Sequence, residues 1–128
     1  MTAITIGIIY VRVLLSALTQ KKAEERLLHD AVHDNLTGLP NRELFLDRLA
    51  NVMSMSYNES RLKPTVFVID IDRFKQVNDS LGMSAGDTIL LTISRRLFRL
   101  MKPQDTLSRL ASDQFGLILA SESDPAKV

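Results

Sequence analysis

The stretch from Thr65 to Asp72, Thr-Val-Phe-Val-Ile-Asp-Ile-Asp, constrains the fold more than any other part of the chain. Val66, Phe67, Val68 and Ile69 are apolar without alternation and rich in β-formers, which predicts a strand buried on both faces. A strand buried in that way needs helices over it and further strands beside it. Phe45, Leu49 and Val52 recur at helical spacing, predicting a helix to about Tyr57. It is entered from a turn over Asp34–Asn41 that holds Thr37, Gly38 and Pro40, with Pro40 near the first helical position. Asn58 to Pro64 is polar and reads as a loop. Gly82 to Gly86 breaks the chain, and Leu90, Ile93, Leu97 and Leu100 predict a helix over Asp87–Lys102 that Pro103 ends. Thr106–Leu110 and Phe115–Ala120 are β-like runs four residues apart, a hairpin. The expected order is helix, strand, helix, strand, strand: an α/β (α+β) sheet flanked by helices, neither a bundle nor an all-β fold.

A second apolar block occupies Ala3–Thr19, interrupted by Arg12. Its nine Ile, Val and Leu residues favour insertion by roughly −3 to −5 kcal/mol, against about +3 for a central Arg. The block reads as the end of a transmembrane helix, or as an apolar helix that pairs with a partner. If it inserts, Lys21, Lys22 and Arg26 place the remainder on the cytoplasmic side. Lys21–His33 continues as helix, and Leu14, Leu18, Leu28 and Val32 form an interrupted seam. The expected organisation is residues 1–20 as partial span, 21–33 as linker helix and 34–128 as a globular part. Asp124-Pro125 is a helix start with three residues after it, so truncation is expected.

Charge excludes one class of partner. Lys plus Arg (16) and Asp plus Glu (15) nearly cancel, so no nucleic-acid-binding face is implied. Without cysteine there is no disulfide, thiolate metal site or cysteine nucleophile. His29 and His33 stand at i, i+4 with no third ligand, and read as solvated.

The chemistry concentrates after the acidic strand. With a period of two, Asp70 and Asp72 point to one face and Ile71 to the other. If the hairpin pairs beside this strand, Asp113 joins Asp70, and three acids meet at one sheet edge. Carboxylate oxygens suit Mg²⁺ or Mn²⁺, with phosphates completing the shell. On spacing alone, Asp72 and Asp113 serve equally as edge and turn residues. Asn78 and Asp87 flank the Gly-broken segment. Together they offer an amide and a carboxylate to a purine edge, or else cap helices and form turns.

Four separated motifs resemble one family. Asp34–Arg42 (DNLTGLPNR) is similar to the opening of GGDEF domains. Asp70–Asp79 (DIDRFKQVND) resembles their metal-binding strand, Gly82–Asp87 (GMSAGD) their GHxxGD segment, and Ala111–Phe115 (ASDQF) falls where the GGDEF turn lies. The resemblance covers about Val32 to Ala120. It implies a palm-like fold and a diguanylate cyclase, in which two domains, each holding GTP, condense it to cyclic di-GMP with Mg²⁺ or Mn²⁺. Asp70, the Ile71 carbonyl and Asp113 would then hold metal, and Asp113 would act in catalysis. Asn78 and Asp87 would contact guanine, and the backbone of Arg73 and Phe74 would follow the phosphates.

The sequence departs from the family pattern. Ala111 and Ser112 replace two glycines, and Gln114 replaces an acid, while Phe115 is kept. Met83 stands where the family has His. Lys102 with Asp105 is a remnant of the family's inhibitory RxxD site, and Lys lacks the Arg fork. A missing preorganised charge costs on the order of 10²–10³ in rate. The family's second half, with a basic phosphate-contacting helix, is not matched, so no GTP turnover is expected from this stretch. The resemblance further implies a bacterial inner-membrane protein with a cytoplasmic domain, a homodimer and a downstream phosphodiesterase domain in the parent. A regulatory GTP-binding module, a cyclase tolerating the ASDQF turn and a non-binding signal transmitter all fit.

Overall fold

The computed structural model describes residues 2–59 and 62–120; the Asp124-Pro125 helix start lies outside them. The chain divides after Ala31 into two compact units. The first is a single helix, α1 (Ala3–Ala31), with no buried residue. Its apolar part reaches a mean hydropathy of 1.6, so by length and composition it is one helix able to cross a membrane. Apolar block and charged linker form one continuous helix of 29 residues.

The second unit orders its elements as α2 (Arg42–Asn58), β1 (Thr65–Asp70), α3 (Phe74–Leu81), α4 (Met83–Leu100), β2 (Thr106–Ala111) and β3 (Gln114–Leu119). The sheet runs β1-β3-β2 and is antiparallel throughout. Its alternation sorts β3 onto two faces. Phe115 and Leu117 point toward Phe74 of α3 and Leu90 of α4, and Leu107 of β2 joins them in one core. On the other face Gly116 meets α2, where an added Cβ would stand 2.8 Å from both Phe45 and Leu110. Glycine there lets the Phe45 ring lie directly against the central strand.

Several boundaries differ from the sequence expectation, each for a local reason. Pro40 lies outside α2: Asn41 is the cap, its side chain accepting from Leu44 N–H at 3.2 Å. Pro40 instead pairs with His33 and closes the preceding turn. The run Val66–Val68 is not buried; Val66 is 42 % and Val68 53 % exposed. Among the described residues β1 is bonded to β3 alone, and α2 packs on β2 instead. An additional helix, α3, carries Phe74, Val77 and Leu81 at helical spacing. The break before α4 is Gly82 alone, at φ 90°. Gly86 is helical and buried, so α4 starts at Met83 and not at Asp87. It ends at Leu100, ahead of Lys102, because the residue preceding a proline is kept out of helical geometry.

Candidate functional site at the end of the central sheet

The strand stops at Asp70, two residues sooner than expected. Ile71 still donates its N–H to the carbonyl of Asp113 at 2.8 Å, which sets the hairpin turn beside the end of β1. Asp70 and Asp113 are thereby neighbours along one edge. Asp72 is not part of this edge. It falls in a turn, where the period-two argument no longer applies, and is exposed. Among the described residues no group of three His, Cys, Asp or Glu side chains is assembled around a common point. The expected meeting of three acids is corrected to a pair.

Gln114 sits directly opposite Asp70 in the register, and its Nε2 donates to Asp70 Oδ1 at 3.0 Å. Opposed carboxylates repel and require a cation between them. An amide in that place supplies a donor instead, so Asp70 is satisfied by the protein itself.

The hairpin closes over two residues, Ser112 and Asp113, instead of the four expected. Neither has a positive φ; among the described non-glycine residues only Arg73 does, at 58°. The register shifts between Arg109 and Ala111, a bulge that supplies the twist an ordinary turn lacks. The hairpin therefore closes without glycine.

Arg109 is the residue that sequence reasoning missed. Its Nη1 lies 3.1 and 3.2 Å from the two carboxylate oxygens of Asp34, and its Nη2 donates to the carbonyl of Ser112 at 2.9 Å. Its backbone N–H donates to Pro40 O at 2.9 Å. One side chain thus ties the turn that opens the domain to the hairpin that closes its site. The available signal was an Arg two positions before the signature pentad, which the sequence reading passed over, and an Asp opening DNLTGLP, which it placed only in a turn and a motif. Burial pushes the Asp34 carboxyl up, but bonds from the Thr37 hydroxyl and N–H at 2.7 and 2.8 Å oppose it. With the Arg109 guanidinium added, these hold the Asp34 pKa below its ordinary value.

Farther along, Arg73 takes the left-handed conformation as it opens α3, a sparsely populated backbone state for a residue with a side chain. Phe74 behind it is buried in the core. Asn78 of α3 meets Gly86 of α4 across the helix junction. A Cβ on Gly86 would collide with Asn78 Oδ1, so glycine is what admits the amide. Asn78 Oδ1 is buried without a hydrogen-bond partner, and Asp87, next to Gly86, is exposed. Met83 is exposed at the start of α4. Asp105 is occupied by the fold, its carboxylate accepting from Lys102 N–H at 3.0 Å and from Ala120 N–H at 3.1 Å. A cavity of about 690 Å³ lies beside the hairpin, bounded by Asn41, Arg42, Leu46, Arg109 and Ala111. A smaller one of about 280 Å³ reaches Gln114 past Phe45 and Val68.

This geometry has known counterparts. The profile of the family "Diguanylate cyclase, GGDEF domain" matches residues 31–128. The diguanylate cyclase TpbB of Pseudomonas aeruginosa is 45% identical over 94 residues, covering 73% of this chain and 21% of that protein. The bifunctional diguanylate cyclase/cyclic di-GMP phosphodiesterase MucR of the same species is 33% identical over 136 residues, covering 96% of this chain and 20% of that protein. The chain thus spans about a fifth of the length of these relatives. The solved GGDEF domain of TpbB superposes with a TM-score of 0.67 at 38% identity, covering 74% of this chain and 55% of that one. The coiled coil and GGDEF domain of DgcB from Caulobacter crescentus, solved with cyclic di-GMP, matches at 0.85 over 96% of this chain and 64% of that one; at 24% identity it speaks for the fold alone. With the palm-like α/β fold, the ordered motifs and these relatives in agreement, the chain belongs to the GGDEF diguanylate cyclase family of cyclic di-GMP signalling.

Proposed function

We propose that this chain is the front part of a degenerate GGDEF domain that binds GTP without condensing it and serves a regulatory role. The hydrogen bond from Gln114 to Asp70 carries this reading. It replaces a charge demanding a metal with an amide that quiets its neighbour. Asp70, Asp113 and the Ile71 carbonyl are hard oxygen donors of the kind that, with phosphate oxygens, suit Mg²⁺ or Mn²⁺. When bound, such an ion neutralises phosphate charge. The chain's own residues supply the rest. Asp87, exposed beside Gly86, would accept from a guanine edge, and the amide N–H of Asn78, whose Oδ1 is packed against Gly86, would offer it a donor. The left-handed Arg73 turns the backbone so that the free N–H groups opening α3 face the phosphates.

The proposed setting is a bacterial inner membrane, with α1 as anchor and Lys21, Lys22 and Arg26 holding the domain in the cytoplasm. A downstream phosphodiesterase domain, as in MucR, and a second copy of the domain are the partners this role calls for. The test is titration calorimetry of the full-length protein with GTP and Mg²⁺, together with an assay for cyclic di-GMP. Binding heat without product is expected, and Gln114→Glu should raise product formation from that floor. Product from the wild type that Asp113→Ala abolishes would overturn the inactive reading; absence of heat would overturn GTP binding.

A further inference from the structure

A second groove lies between the turn over Thr37–Leu39 and the last turns of α4, and shares no lining residue with the hairpin or the Asn78–Gly86 pair. Its volume is about 420 Å³, within the range that encloses a small ligand. Phe98 forms one wall and is 64% exposed. Arg95 and Arg99 line the groove with it, one helical turn and so about 6 Å apart. No carboxylate lines the groove. Neither arginine takes part in an ion pair among the described residues, where the pairs are His29–Asp30 and Arg109–Asp34. The nearest acid of the turn, Asp34, is already saturated by Thr37 and Arg109.

The backbone decides which kind of anion fits. Thr37 N–H donates to the Asp34 carboxylate, Gly38 N–H to Asp34 O, and Leu39 N–H to the Thr37 hydroxyl. With all three donors spent, the turn offers an acidic peptide no main-chain pairing. Recognition is left to one aromatic face and two guanidinium groups. That set stacks a flat ring and grips a phosphate, the two halves of a nucleotide. We propose that this groove is a second ligand site, taking a purine nucleotide with its base on Phe98 and its phosphate between Arg95 and Arg99.

Two glycine amides report on the two sites separately: Gly38 lines this groove, and Gly86 abuts Asn78. The experiment is a titration of the ¹⁵N-labelled full chain, in neutral detergent micelles, with GMP, with inorganic phosphate and with a polyglutamate peptide. GMP is expected to shift the Gly38 amide at least tenfold more tightly than phosphate alone. Phe98→Ala and Arg99→Glu, both at exposed positions, should each weaken that response about tenfold without changing the thermal melt. Asp87→Ala should leave it intact, which keeps this site's outcome separate from that of the proposed GTP site. An unmoved Gly38 amide at millimolar GMP would overturn the proposal. So would phosphate or peptide binding as tightly as GMP, or a response indifferent to Phe98→Ala.

Discussion

Replacing Arg109 by Met tests the main structural claim, that one guanidinium fastens the opening turn to the signature hairpin. Its side chain is 14% exposed and that of Asp34 20%, so the pair is largely shielded from water. Met keeps most of the aliphatic volume while removing the charge-assisted bonds to Asp34 and the bond to Ser112 O. Bonds to charged groups contribute about 1.5–3 kcal/mol, but Asp34 retains both bonds from Thr37. The expected loss is therefore about 2 kcal/mol, roughly 10 °C in the melting temperature of a unit this size. Arg109→Lys keeps a charge for Asp34 but cannot reach Ser112 at the same time, and should lose about half as much. The pH dependence supplies an independent check. The folded pKa of Asp34 lies below its ordinary 3.8, so its contribution is complete above that value and disappears as pH falls through the folded pKa. Urea unfolding of wild type and Arg109→Met should accordingly differ most at neutral pH, and the gap should narrow in acid to what the Ser112 bond contributes. A gap that stays constant down to pH 2, or a loss below about 0.5 kcal/mol at pH 7, would refute the reasoning.

Two further substitutions probe other contacts. Gly86→Ala places a methyl group against Asn78 Oδ1; an unobstructed helix interior would gain about 1 kcal/mol from that change, so net destabilisation in a thermal melt is the expected sign. Asp105→Ala removes the carboxylate that accepts from two backbone N–H groups and should cost about 1–2 kcal/mol, with the Ala120 amide exchanging faster by hydrogen–deuterium exchange; unchanged exchange would show the bond to be idle.

What could be read from the sequence depended on how local the cause was. The hairpin, α2 and the acidic strand follow from apolar spacing within a few residues, and all are found. The exposure of β1 among the described residues could not be read from composition, which reports a strand's affinity for an interior, whereas its neighbour β3 lies some 50 positions later. The helix α3 was hidden by glycines: Gly82 breaks the chain, but Gly86 is present to admit Asn78 and not to bend the backbone. At the site, the closeness of Asp70 and Asp113 was legible from the hairpin. The role of Arg109 was not, since a charge on a strand looks solvated until its partner 75 positions away is known.

Of the three described strands, the middle one is made last. β1 leaves the ribosome long before β3, to which it is bonded throughout, and β2 likewise has no neighbour until β3 emerges. Because β2 and β3 are joined by two residues, they zip together quickly, whereas β1 waits through two intervening helices. During that interval the nascent Thr-Val-Phe-Val-Ile segment is a sticky ribbon, uncharged and free of proline. Until β3 arrives, an unpaired apolar strand of this kind is open to aggregation, a hazard of synthesis that the finished fold does not display.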